Sequence, residues 1–307
     1  MQHYLSIDNI KLQKSWLTIG SFDGVHLGHQ KIVRELATGA HEQGVPAVVL
    51  TFNPHPAAIL RNKKYPFYLT NLEERTKLLA DMGADIIITH PFNQEVMQTS
   101  AKDFMAKLQQ HLHMRHLKIG YDFALGKGRE GNFQKLDELG LQMGYSIDRV
   151  KALEYDGQIV SSSRIRFLLG VGEVVKVGEL LARNYTVAGK VVLGDQRGRK
   201  LGFPTANLSI WTERAIPAAG VYVCRVFVRD ETWDAVTNIG VRPTFGVEGA
   251  APQIESHILD FDDDIYGENL RVEFLSRIRG EQRFDNINEL VKQIQVDIST
   301  ARKLLAA

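Results

Sequence analysis

Apolar and polar positions alternate in two distinct regimes along this chain. In the first half, short apolar runs are separated by segments of helical period. Leu17–Ile19, "PAVVLTF" (Pro46–Phe52), "ADIIITH" and "RHLKIGYDF" read as buried strands. Between them, Leu27 to Gln43 places Ile32, Val33, Leu36 and Ala37 on one helical face. "LEERTKLLADMG" reads as a helix stopped by Gly83, and "SAKDFMAKLQQHL" as a helix opened by an N-cap at Ser100. Two more helices, "RIRFLLGVG" and "VVKVGELLARN", follow Ser163. Strands alternating with helices predict a Rossmann-like parallel sheet, which binds ligands beyond the carboxyl ends of its strands.

At Asn184–Gly189 the regime changes. "YTVAGKVVLGD", "GVYVCRVFVRD", "TWDAVTNIG", "PQIESHILDF" and "LRVEFLSRIR" are strand-like and separated by turn signals rather than helices. That spacing predicts an antiparallel barrel or sandwich. The chain closes on an amphipathic helix with Leu290, Ile294 and Ile298 in one stripe. The predicted division is residues 1–183 and 184–307.

Composition narrows the class. The 307 residues fit about two domains, and 44% hydrophobic with 24% charged residues is ordinary for a globular chain. A net charge of +1 gives no bulk field for nucleic acid. Cys224 is the one cysteine, so an intramolecular disulfide and a Cys-based zinc site are excluded. It lies in an apolar strand and reads as core. No apolar run is long enough to span a bilayer, and the N-terminus does not resemble a signal peptide. A soluble cytoplasmic protein is expected, with no membrane association and no obligatory protein partner.

Candidate chemistry begins at "GSFDGVHLGHQ". Gly20, Gly24 and Gly28 allow sharp turns and close ligand approach. The helix start that follows offers unpaired N–H groups and a positive dipole end. His26 and His29, three apart, share a helix face. No Walker A or zincin pattern is present, and a polar helix start is an equal reading of the pair taken alone. "GYDFALGKGREGN" again follows a strand and combines glycines with Lys127 and Arg129. "SSSRIR" puts hydroxyls at a helix start with Arg164 and Arg166 beside them, groups that bind phosphate oxygens; for Arg164 alone, a solvated helix face is the better reading. "FNPHP" ends the second strand, where a rigid proline turn is the alternative.

In the second half, "GDQRGRKLGFPTAN" joins a Gly/Arg-rich loop to Thr205 and Asn207. Two residues apart, they point to one side of an extended segment, and their oxygens suit a hard cation such as Mg²⁺, although Pro-Thr-Ala-Asn taken alone is more often a turn. Strand alternation groups Glu255 with His257, Leu259 and Phe261. A carboxylate on an otherwise apolar face is costly without a purpose or a partner, and accepting a proton is one such purpose; an exposed edge-strand Glu is an equal reading of Glu255 taken alone. "DFDDDIYGEN" lacks EF-hand spacing and reads as a charged hairpin.

Taken together, "GSFDGVHLGHQ", "NPHP", "GYDFALGKGREG" and "SSSRIR" resemble the adenylyltransferase half of the bifunctional bacterial riboflavin kinase/FAD synthetase family, with His26-Leu27-Gly28-His29 as its (H/T)xGH helix start. Ser21 stands where the commoner family form has Asn. "GRKLGFPTANL", "GVYVCRV", "NIGVRPTFG" and "IESHILDFDDDIYGE" resemble the flavokinase half, and the likeness runs from about Trp16 to Arg302. The resemblance implies a nucleotidyltransferase domain followed by a six-stranded antiparallel barrel. It implies substrates riboflavin, FMN and ATP, with Mg²⁺. It assigns His26, His29, Gly20, Phe22, Asp23, Gly24, Gly28, Ser162, Ser163 and Arg166 to ATP, and Asn53, His55, Asp122, Phe123 and Arg129 to the flavin. It assigns Gly194, Arg199 and Gly202 to the kinase phosphates, Thr205 and Asn207 to the metal, and Glu255 as base for the ribityl hydroxyl. An adenylyltransferase for another small molecule, or a regulatory module without catalysis, are the competing readings. The flavin-type loop and the co-occurrence of His26, His29, Thr205, Asn207 and Glu255 argue against them.

Overall fold

A computed structural model describes residues 1–60, 67–240 and 253–306. The chain forms two compact units, Met1–Ser162 and Ser163–Ala307.

Among the described residues of the first unit, six parallel strands lie in the order β1-β4-β3-β2-β5-β6. They are β1 (Gln2–Tyr4), β2 (Ser15–Ile19), β3 (Ala47–Asn53), β4 (Ile86–Pro91), β5 (Met114–Gly120) and β6 (Ser146–Val150). The helices are α1 (Leu27–Glu42), α2 (Pro56–Leu60), α3 (Leu72–Asp81), α4 (Gln94–Gln98), α5 (Ala101–Leu112) and α6 (Phe133–Met143). A two-stranded ribbon, β7 (Glu154–Tyr155) with β8 (Gln158–Ile159), completes the unit. It turns through Asp156 and Gly157, both at positive φ, which suits a tight hairpin.

Alternation along β3 explains its unbroken apolar run. Val48 and Leu50 join the core under α5 and α6, whereas Ala47 and Val49 face α1 and α3. Sequence pattern recovers the four central strands and misses β1, β6 and α6. β1 and β6 are edge strands and carry mostly exposed or half-buried side chains, so they lack the apolar signal of a strand buried on both faces. The predicted stops hold: Ser100 accepts from the Asp103 N–H at the start of α5, and Gly83 (φ 99°) follows α3.

In the second unit, α7 (Ser162–Gly170) begins on the last residue of the first, and α8 (Val174–Leu181) packs on the barrel strands β9 (Tyr185–Val192) and β14 (Asn269–Gly280). The compact unit therefore starts earlier than the helix-to-strand change at 183/184. The short helix α9 (Arg197–Lys200) and strands β10 (Ala206–Ile210), β11 (Gly220–Val228), β12 (Glu231–Gly240) and β13 (Gln253–Ile258) complete a closed antiparallel barrel, β10-β13-β12-β11-β14-β9. Closure removes free strand edges.

The terminal helix α10 (Ile287–Leu305) lies over β11, β12 and β14, which is why β11 is buried on both faces. Leu290, Ile294 and Ile298 are each half-buried, and the fully buried positions of α10 are Asp297 and Ala301. Asp297 is tolerated there because Arg279 meets it with three donated bonds of 2.8–3.1 Å. Val241–Gly246 of the "NIGVRPTFG" motif lie outside the described residues.

Candidate active sites

The motifs of the first unit hang from the carboxyl ends of three adjacent strands. "GSFDGVHLGH" follows β2, "NPHP" follows the end of β3, and "GYDFALGKGREG" follows β5. Chain order reverses direction between β2 and β5, the crevice where open α/β sheets bind ligands.

The loop after β2 is built from unusual backbone. Phe22 (φ 47°), Gly24 (φ 82°) and Val25 (φ 41°) all take left-handed conformations. Phe22 is buried, and its ring meets His29 edge-on at 5.1 Å. Asp23 is 0% exposed. Its carboxylate accepts from the backbone N–H of Leu69 (3.0 and 3.1 Å) and Thr70 (3.1 Å) and from the Thr70 hydroxyl (3.2 Å). The Gly24 N–H in turn donates to Thr70 Oγ1. Asp23 thus holds the loop in place from inside the unit.

His26 is the N-cap of α1: its Nδ1 accepts from the His29 N–H at 3.3 Å. Accepting at Nδ1 leaves the proton of the neutral ring on Nε2, a donor suited to an anionic oxygen. The two imidazoles stack, with centroids 3.7 Å apart. A Cβ on Gly28 would lie 3.2 Å from the His26 ring, so glycine lets the stack form. Ser162, at the start of α7, donates to the Asp23 carbonyl at 2.8 Å. Ser163 is exposed and Arg166 half-buried on α7, both in the second unit.

Asn53 is exposed at the end of β3. His55 is buried with its ring against Phe67 and Tyr68, its N–H on the Tyr68 hydroxyl and its Nδ1 accepting from the Ala57 N–H. In the loop after β5, Asp122 is exposed and Phe123 half-buried against the core. Arg129 donates to the Asp122 carbonyl at 2.8 Å and ties the loop's ends together. Glu130 accepts from the Ala101 N–H and Lys127 N–H donates to the Thr99 carbonyl, fixing the loop on the start of α5. Gly126 is required there: a Cβ would stand 2.6 Å from the Ala101 nitrogen.

The second unit holds a cavity of about 310 Å³, lined among others by Gly194, Arg199, Thr205, Asn207, Phe261 and Tyr266. A Cβ at Gly194 would overlap the Asn207 amide, and one at Gly198 would overlap the Phe203 carbonyl. These two glycines let the loop close over "PTAN". Gly202 (φ 86°) turns the chain between Gly198 and Pro204. His257 bonds the Pro204 carbonyl through Nδ1 at 2.8 Å, anchoring the segment just before Thr205.

Glu255 is paired in register with Asn207 of β10 on one side and Asn238 of β12 on the other. The three share one face of the sheet. This corrects the expected apolar setting: Gln253, Glu255 and His257 form the half-buried polar row of β13, and the buried row is Ile254, Ser256 and Ile258. Leu259 and Phe261 lie beyond the strand. Glu255 therefore stands among amides that can hydrogen-bond it. The acidic segment 262–264 is an irregular connection rather than the expected hairpin, since β13 and β14 do not pair; Arg229 holds it by donating to the Asp264 carbonyl and pairing with Asp263 and Glu268.

Sequence reading missed Arg75 and Thr70, which support the first loop, because a charged residue in "LEERTK" has the pattern of a solvated helix face. It also missed Ile265 and Tyr266 of the cavity wall, which lie in an acidic turn with no apolar period.

Residues 8–164 match the FAD synthetase family and residues 181–305 match the riboflavin kinase family. The chain belongs to the bifunctional riboflavin kinase/FMN adenylyltransferase family. A member from Pseudomonas fluorescens is 37% identical over 94% of this chain and 92% of its own length. Members from Escherichia coli K12 and Bacillus subtilis 168 are each 36% identical, covering 94% and 92% of this chain and 91% and 90% of theirs. The crystal structure of a macrolide-efflux protein from Streptococcus pneumoniae shares the fold at a TM-score of 0.89 and 30% identity, covering 98% of each chain. Among the described residues of this family member, no helix is long and apolar enough to cross a membrane.

Proposed function

We propose that the two units carry two consecutive reactions: phosphorylation of riboflavin by ATP to FMN in the barrel, then transfer of AMP from a second ATP to FMN in the first unit. The observation that carries this reading is the pair of family matches on one chain, residues 8–164 to FAD synthetase and residues 181–305 to riboflavin kinase. The family matches leave residues 165–180 to neither activity, and the proposed functional boundary is 183/184.

In the barrel, Glu255 accepts the proton of the ribityl 5′-hydroxyl as its oxygen attacks the γ-phosphorus of ATP, and ADP departs. Register pairing with Asn207 and Asn238 supports this role, because it sets Glu255 beside two amides on one face of the sheet. Arg199 and the glycine loop from Gly194 to Gly202 receive the phosphates. Thr205 and Asn207 offer a hydroxyl and an amide carbonyl on one cavity wall, a hard-oxygen set that fits Mg²⁺. When bound, that ion would neutralise phosphate charge.

In the first unit, an FMN phosphate oxygen attacks the α-phosphorus of ATP in line, and pyrophosphate leaves. No covalent protein intermediate is needed, so the residues position the reactants and meet growing negative charge. His26 and His29 donate to the phosphate oxygens at the positive end of α1. Gly20, Gly24 and Gly28 bring the backbone close, and Ser162, Ser163 and Arg166 receive the triphosphate. Asn53, His55, Asp122, Phe123 and Arg129 border the flavin. Phe22 and Asp23, both buried, act on ATP through the shape of the loop. Both reactions consume ATP, which fits the proposed cytoplasmic location.

The test is direct. The purified chain incubated with riboflavin, ATP and Mg²⁺ should accumulate FMN and then FAD on a flavin chromatogram. Absence of both products would overturn the reading.

A further inference from the structure

We propose that Arg75 is a positioning residue for adenylyl transfer: its buried guanidinium fixes the spacing between the histidine loop and the end of β3. This rests on the adenylylation reading above and adds a residue to it.

Arg75 projects from the first turns of α3 and is 2% exposed. One guanidinium nitrogen donates to the Ser21 carbonyl at 3.0 Å, and the other donates to the Phe52 carbonyl at 3.3 Å. Ser21 sits inside "GSFDG", between Gly20 and Phe22. Phe52 immediately precedes Asn53 of "NPHP". One planar fork therefore joins the two loops assigned to ATP and to the flavin, and a lysine, with a single nitrogen, cannot reproduce it. The Ser21 carbonyl also accepts from Thr51 Oγ1 at 3.0 Å, so it is drawn into the unit just before Phe22 enters its left-handed conformation.

A buried guanidinium is costly to desolvate, and burial pulls Arg75 below its usual pKa while Asp23 opposes the shift. Asp23 is tied to Leu69 and Thr70, only a few residues before Arg75. The segment 69–75 thus grips the loop twice, each time by donating: Leu69 and Thr70 to the Asp23 carboxylate, and Arg75 to the Ser21 carbonyl. Arg75 is the contact that also reaches β3. Arg75 Nε is buried without a hydrogen-bond partner. A purely cohesive role would not need a charged group placed there. Loosening the fork should let the ATP loop and the flavin loop move independently and spoil the in-line approach.

The experiment compares the full chain with Arg75→Lys and Arg75→Ala. FAD formation from FMN and ATP, and FMN formation from riboflavin and ATP, are measured on the same preparations. The expected result is a fall of about 10-fold or more in kcat/KM for FAD formation in both variants, with KM rising for ATP and for FMN. FMN formation stays within about twofold of the parent. Added guanidinium ion at non-denaturing millimolar concentration should partly restore FAD formation in Arg75→Ala. Should that variant fail to fold, Arg75→Lys decides the matter. Unchanged KM values with losses that follow only the folded fraction would overturn the proposal, as would parental FAD formation by Arg75→Lys. A parent chain that makes no FAD from FMN would instead overturn the adenylylation reading itself.

Discussion

The ring centroids of His26 and His29 lie 3.7 Å apart with planes 18° from parallel, and a Cβ on Gly28, between them in sequence, would press to 3.2 Å from the His26 ring. Gly28 lies in the first turn of α1, where alanine is the better helix former by roughly 1 kcal/mol. Gly28→Ala should therefore leave the melting temperature unchanged or raised. The added methyl presses on the His26 ring, and FAD formation should fall by about 10- to 100-fold. Steady-state kinetics beside a thermal melt checks both halves of this expectation.

Acid should weaken the first unit. Burial pulls His3, His90 and His116 below the usual histidine value, with Arg75 adding to the effect at His3 and Lys107 at His90, while Asp148 opposes it at His116. A lowered folded-state pKa means that the unfolded chain takes up protons first as pH falls. Stability should be flat above about pH 6.5 and decline below it. Thermal melts between pH 8 and pH 5 (roughly bracketing that value) test this, and His116→Gln should make the decline shallower.

The Arg279–Asp297 pair holds α10 to the barrel with Asp297 side chain only 4% exposed. Asp297→Ala leaves a guanidinium with its buried partner gone, and the expected cost is about 3–5 kcal/mol. Urea unfolding of the parent and variant measures it. Arg302 with Asp260, an exposed pair, is the control: Asp260→Ala should leave the urea midpoint essentially unchanged, because solvent screens the pair.

What the residues disclose in advance differs between the halves. β3 was legible because it is apolar on both faces, and β6 was not because it is an edge with polar residues at Ser146, Asp148 and Arg149. The helix start at His26–His29 was legible from glycines and spacing. The support beneath it was not: Arg75 and Thr70 act from a different helix and turn, and nothing local in "TNLEERTK" separates a buried fork from a solvated arginine. Glu255 was found by its place in the strand, but its neighbours were misread. Pairing with Asn207 and Asn238 depends on register between strands distant in sequence, which period-two alternation within one strand does not encode.

The proposed reactions use two separable sites in series, one around Glu255 and one around His29. The most direct measurement is a flavin chromatogram of two folded variants, alone and mixed, with riboflavin, ATP and Mg²⁺. Glu255→Gln should make no FMN from riboflavin yet convert supplied FMN to FAD, and His29→Ala should stop at FMN. Mixed, the two should produce FAD from riboflavin. Loss of both activities in either folded variant, or a mixture that stops at FMN, would contradict the account.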